Sequence, residues 1–175
     1  MRNLKLYTLL CETKEVYMNY MILAVDENNG IGIDNSIPWH NADDFKHFKN
    51  TTMNQIVVLG RKTFDSLRPH FKDEILPKRT KLIISSRDYY CNEVCYSMND
   101  IIHTLTTSTH HDYYIIGGKT VYDALNAAGI IDCIIVTKIE GSYHCDTFMD
   151  FVFNKTELQY NNNTFILKEF KTIKQ

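Results

Sequence analysis

From Tyr20 onward the chain alternates short, continuous apolar runs with stretches of helical spacing. The runs Tyr20–Val25, Ile56–Leu59, Lys81–Ile84, Tyr113–Ile116 and Cys133–Ile139 predict strands buried on both faces. Helical patterns at Lys62–Leu67, Asn99–Leu105 and Thr120–Ala128 fall between them. Such alternation predicts an α/β domain with a mostly parallel central sheet and helices on both faces. The tail changes character: Leu158–Tyr160, Asn161–Asn163 and Thr164–Lys171 predict an antiparallel hairpin that closes one edge. After the first run, Asp26–Ser36 carries two glycines and many polar side chains, which predicts a long loop. Ligands of open parallel sheets sit beyond the carboxyl ends of the strands, so the chemistry is sought there.

A short helix follows the loop. At helical period Asp43, Lys46, His47 and Asn50 line a polar face, while Asp44, Phe45 and Phe48 share the opposite one. A carboxylate among apolar neighbours costs on the order of several kcal/mol unless it is hydrogen-bonded or neutralised, so Asp44 is a candidate ligand-binding acid. The plainer reading makes it a first-turn acid behind an Asn41 cap, where it suits the helix dipole.

Three strand ends tip the balance. Ile56–Leu59 runs into Gly60-Arg61-Lys62-Thr63, Lys81–Ile84 into Ser85-Ser86-Arg87, and Tyr113–Ile116 into Gly117-Gly118-Lys119-Thr120. Glycine permits close approach, cations and hydroxyls bind oxygen, and fresh helix amides point at the ligand. Singly each is an ordinary turn; together they predict a nucleotide with several phosphates. The Walker pattern and the full dinucleotide glycine fingerprint are both absent.

Length and composition narrow the setting. The 175 residues suit one domain at 19–175, with residues 1–18 expected to be a dispensable extension. A net charge of −2 with dispersed Lys and Arg argues against a dedicated nucleic-acid surface. The early leucines form too short a run for a membrane span or a signal-peptide core. Five cysteines at irregular spacing predict reduced thiols in a cytoplasmic setting, and no Cys or His set has metal-ligand spacing.

Several motifs then occur in a fixed order: Gly30-Ile31-Gly32, Pro38-Trp39 with Asp44 five positions on, Phe48, Gly60-Arg61-Lys62-Thr63-Phe64, Ser85-Ser86-Arg87, Ile116-Gly117-Gly118 with Tyr122, and Asp146-Thr147. In these the chain resembles the dihydrofolate reductase family over residues 19 to 171. The resemblance implies NADPH-dependent reduction of dihydrofolate, in support of one-carbon metabolism, by a monomer needing neither membrane nor nucleic acid. It implies that Asp44 is the catalytic residue, as proton donor or electrostatic promoter, and that Ile22, Ala24, Phe45, Phe48, Leu67, Leu76, Ile116 and Tyr122 wall the pterin pocket. Thr137 would hydrogen-bond Asp44, and Arg79 would grip the glutamate tail. Cofactor contacts would come from Ala24, Ile31, Gly32, Gly60, Arg61, Lys62, Thr63, Ser85, Ser86, Arg87, Ile116, Gly117, Gly118, Lys119, Thr120 and Val121. A cis Gly117-Gly118 bond is implied as well, with 26–37 as a mobile lid.

This chain departs from the family pattern in places. Asn41-Ala42 replaces a usual Leu-Pro, which is expected to loosen the helix entry; Lys119 stands at a frequent glycine; and Arg68–Pro77 is long. Two rivals share the scaffold: a pyrimidine reductase of riboflavin synthesis, and a non-catalytic NADPH-binding relative. The Trp39-to-Asp44 spacing and Phe48 disfavour the first, and the intact Asp44, Arg61, Thr63 and glycine pair disfavour the second.

Overall fold

The computed structural model describes residues 17–86, 94–154, 157–160 and 163–173. Most of the expected extension lies outside them, as do Cys11, Arg87 and Cys91. The strands are β1 (Asn19–Val25), β2 (Gly30–Gly32), β3 (Ile56–Gly60), β4 (Thr80–Ile84), β5 (Cys95–Tyr96), β6 (Tyr113–Gly117), β7 (Cys133–Ile139), β8 (Thr147–Phe148), β9 (Phe151–Asn154), β10 (Glu157–Tyr160) and β11 (Asn163–Ile173). The helices are α1 (Ala42–Thr52), α2 (Arg61–Leu67), α3 (Met98–Thr107) and α4 (Lys119–Ala127).

Nine strands form one sheet in the order β5-β4-β3-β6-β1-β7-β11-β10-β9, while β2 and β8 pair separately. The pairings from β5 through β7 are all parallel, as is β7 with β11. β10 runs antiparallel to both β9 and β11. The tail hairpin therefore exists, yet it does not form the edge. β11 spans 11 residues against four in β10, so its first part pairs with β10 and the remainder reaches β7. The outermost position falls to β9. The expected loop also differs, since it contains β2.

Period-two alternation divides the apolar side chains between two faces. Register pairs Met21 with Ile134 and Ile22 with Ile135. Met21, Leu23, Val25, Ile134 and Val136 pack against Ile101, Leu105, Val121 and Leu125 of α3 and α4. Tyr20, Ile22, Val57, Leu59, Tyr114 and Ile135 pack with Phe64 and Leu76 on the other face, where Phe48 of α1 joins them. Each fully buried large aliphatic chain contributes roughly 1.5–3 kcal/mol, so both faces are anchored by hydrophobic burial.

The helix starts fall into two kinds. Asn41 caps α1 by accepting from the Asp43 and Asp44 amides, and Ser97 with Asp100 closes a capping box on α3. By contrast α2 and α4 start from Gly60 and Gly118 without a side-chain cap. The uncapped pair are the two helices whose starts the sequence assigned to phosphates.

Candidate active site

Asp44 lies at the first turn of α1, only 7% exposed. Its amide and that of Asp43 donate to Asn41 Oδ1 at 3.0 and 3.1 Å, so the Asn41-Ala42 departure tightens the helix entry where loosening was expected. The buried stripe of α1 is narrower than the periodicity implied. Asp44 and Thr52 are buried with half-buried Phe48 between them, whereas Phe45 is 39% exposed and sets its ring 5.4 Å from that of His40. Phe45 is therefore rim where the sequence placed it on the inner face with Asp44. Such a rim position still suits the wall of an open cleft.

The far end of the stripe carries a cation. Arg79 is 9% exposed; its Nε donates to Thr52 Oγ1 at 2.9 Å and its two terminal nitrogens donate to the carbonyls of Pro77 and Lys49. Thr52 Oγ1 in turn donates to the Phe48 carbonyl at 2.8 Å, and the guanidinium lies 5.8 Å from the Phe48 ring centroid. Burial pulls the Arg79 pKa below its ordinary value. The long segment before it is pinned by Lys81 Nζ, which donates to Glu74 Oε1 at 2.8 Å and to the Ile75 carbonyl at 3.2 Å. Leu76, in left-handed backbone at φ 51°, turns into the cluster that holds Phe64 and Phe48.

Behind the stripe stands the end of the sheet. Ile22, Leu67, Leu76 and Ile116 share one apolar cluster with Phe48. Ala24 pairs in register with buried Thr137, two positions beyond the Ile22–Ile135 pair and so on the same face. Tyr122 is buried in the opposite cluster, but its hydroxyl donates to the Ile22 carbonyl at 3.0 Å, and burial pushes the phenol's pKa up. An acid, an aromatic ring and a cation therefore follow one another along α1 against an aliphatic wall. That arrangement suits a flat, hydrogen-bonding ligand with an anionic tail.

The strand ends of β3, β4 and β6 meet beside this wall. Gly60 pairs with Ile84, and Leu59 with Gly117. A Cβ on Gly60 would stand 3.1 Å from Val121 Cγ2, and one on Gly118 would stand 3.1 Å from Thr63 Oγ1. Glycine at both positions brings the two turns together as backbone, a cradle that fits phosphate oxygens. The Gly117-Gly118 bond is cis, and Gly117 has φ 117°. Arg61 donates to Asp65 at 2.8 Å, and Lys119 lies 3.0 Å from Asp123 and 3.8 Å from Asp150. Lys62, Ser86 and Thr120 are exposed, while the Ser85 amide donates to the Tyr96 carbonyl. Val121 turns its side chain into the core.

Ile31 and Gly32 lie on β2, which is held to the segment before and within β8: the Asp146 amide donates to the Gly32 carbonyl, and Asp146 Oδ2 accepts from the Asp34 amide at 2.9 Å. Hydrogen bonds from the Asp34 amide and the Thr147 hydroxyl hold the Asp146 carboxyl below its ordinary pKa. Sequence reasoning missed two residues here. Trp39 is 4% exposed, and its Nε1 has no hydrogen-bond partner among the described residues, so it is a buried donor beside Ala24. Asp26 is 1% exposed, although its sequence surroundings read as a polar turn. Pro38-Trp39 signalled the first; for the second no sequence signal existed.

A parallel sheet with glycine-built turns next to a buried acid is an arrangement that fits a nucleotide-dependent reductase. Comparison with known proteins makes the class specific. A family model described as dihydrofolate reductase matches residues 18–172. Dihydrofolate reductase type 9 of Escherichia coli is 34% identical over 139 residues, covering 74% of this chain and 75% of that protein. The dihydrofolate reductase of Ureaplasma parvum is 31% identical over 151 residues, covering 85% of this chain and 93% of its own length. Among solved structures, the Enterococcus faecalis dihydrofolate reductase complexed with NADP(H) and RAB-propyl superposes with a TM-score of 0.66 at 28% identity, covering 79% of this chain and 86% of that one. The chain belongs to the dihydrofolate reductase family.

Proposed function

We propose that Asp44 drives protonation of the substrate as this enzyme reduces 7,8-dihydrofolate to 5,6,7,8-tetrahydrofolate with NADPH. The supporting observation is a carboxylate 7% exposed at the start of a helix face that continues through Phe48 to Arg79. Reduction adds a hydride to pterin carbon 6 and a proton to the neighbouring ring nitrogen. NADPH, when bound, supplies the hydride and leaves as NADP+. Asp44 accepts charge-assisted hydrogen bonds from the aminopyrimidine edge and thereby favours the protonated ring nitrogen.

The other residues bind and orient. Ile22, Ala24, Phe45, Phe48, Leu67, Leu76, Ile116 and Tyr122 hold the ring, Thr137 orients Asp44, and Arg79 takes the glutamate carboxylate. Tyr122 does so through Ile22, whose carbonyl its hydroxyl holds. Gly60 to Thr63, Ser85, Ser86 and Gly117 to Thr120 take the phosphates, and β2 covers the nicotinamide. Arg87 joins this set by its place in the motif. Proximity and exclusion of water then lower the barrier. One chain carries both the acid and the phosphate turns, which supports a monomer as the working unit, and the cysteine pattern supports the cytoplasm.

Loss of reduced-nicotinamide absorbance on adding dihydrofolate tests the reaction, and the same assay on Asp44→Asn tests the role. No turnover by the native chain would sink both. Full turnover by the variant would remove Asp44 from the chemistry while leaving the reaction standing.

A further inference from the structure

Asp26 is the most buried charged side chain among the described residues, and the reaction as drawn does not use it. It follows β1 directly, and each of its two carboxylate oxygens serves a different segment. Oδ1 accepts from the amides of Asn28 and Gly30, both at 2.8 Å. Oδ2 accepts from the Tyr143 amide at 3.1 Å and from the Cys145 thiol at 3.8 Å. One oxygen thus fixes the turn that leads into β2, and the other fixes the segment between β7 and β8.

Packing ties the two segments further. A Cβ on Gly30 would stand 2.5 Å from Cys145 Cβ and Sγ and 3.0 Å from Asp26 Oδ1, so glycine permits the contact. The Glu27 amide donates to the Gly141 carbonyl at 3.2 Å. Tyr143 sets its ring edge-on to Trp39 at 5.4 Å, and Trp39 packs with Cys145, Ile139 and Ala24 at the end of β1. Burial and the neighbouring carboxylate push the Cys145 thiol's pKa up, which keeps it a donor.

We propose that Asp26 is a positioning residue that couples β2, the cover of the cofactor, to the Trp39 cluster that packs behind Ala24 of the pterin wall, so that both hold one arrangement. The proposal rests on the reading of the site given above. A carboxylate is needed because four donors converge on it. An amide offers one oxygen, so it serves one segment and turns its own N–H groups toward the donors of the other.

The test uses Asp26→Asn in the full chain, with Trp39 as an optical reporter because it is the only tryptophan in the sequence. We expect the Gly30 or Tyr143 amide to lose hydrogen-exchange protection and Trp39 emission to shift. We expect kcat to fall by about ten- to a hundredfold, as for a misplacement of about an ångström, with a smaller change in KM for dihydrofolate. Unchanged protection and emission would overturn the proposal, whatever kcat does. If Asp26→Asn does not fold, Tyr143→Leu removes the ring contact and keeps the backbone bond. It should shift Trp39 emission and lower kcat while Gly30 stays protected, and unchanged emission and rate would overturn the proposal. Turnover of dihydrofolate by the native chain is measured in parallel, so a failed family reaction is told apart from a failed coupling.

Discussion

The two sets of cations proposed to serve the two ends of the cleft are held differently in the structure. Arg79 is buried and held by Thr52, Pro77 and Lys49 through groups that carry no formal charge. Arg61 and Lys119 are about one-third exposed, and each is paired with an acid one helical turn along, Asp65 and Asp123. A buried cation among neutral acceptors keeps its attraction for an incoming anion, because no acid among the described residues pairs with it. A surface cation already paired must give up that partner, or share it, when a phosphate arrives. In the function proposed above, the pterin end would thus be built in advance, and the cofactor end would be charge-compensated until loaded.

The sharpest way to break this contrast is at the built end. Asp44→Asn should lower kcat by about two to four decades, the range for acid–base groups, with a far smaller change in NADPH affinity. Steady-state kinetics with fluorescence titration of the cofactor checks both. Arg79→Leu should raise KM for dihydrofolate by roughly ten- to a hundredfold, as expected for loss of hydrogen bonds to a charged group of about 1.5–3 kcal/mol. A pterin without the glutamate tail should be affected much less. Equal loss for both substrates would mean that Arg79 shapes the pocket rather than gripping the tail.

The compensated end gives a smaller effect of opposite sign. Asp65→Asn should tighten NADPH binding by about two- to fivefold, in line with the ~0.2–1 kcal/mol of an exposed ion pair, and the gain should shrink in high salt. Weaker binding would show that Asp65 orients Arg61 for the phosphate instead of competing with it. Smallest of all, a chain beginning at Met18 should keep its melting temperature and turnover, since the family match starts at residue 18. A failure to fold would make the leading segment part of the domain.

Strands β1, β3, β4, β6 and β7 were legible because each is a largely apolar run, and helices between them forced the parallel reading. β2, β8 and β5 were not, because two or three residues carry no period. Phe45 was assigned to the inner face because a helical wheel cannot tell how wide a stripe its neighbours will cover. The phosphate turns were visible as Gly, Lys, Arg, Ser and Thr after apolar runs, whereas their acidic partners read as ordinary helix surface. Asn41 illustrates the opposite case: set beside the family's usual apolar residue it looked like a loss, but its oxygen binds the amide of Asp44 itself. Asp26 stayed hidden because its donors come from the backbone and from residues far along the chain.

The place of β1 in the sheet bears on how the molecule is made. It lies between β6 and β7, and both of its hydrogen-bonded neighbours belong to the second half of the sequence. During synthesis from the amino end, the first strand emerges long before either neighbour and waits with both edges open. Non-local pairing of this kind slows folding and prolongs exposure of apolar edges. The β1 run Tyr20–Val25 therefore gains its hydrogen-bonded neighbours only after β6 and β7 have been made.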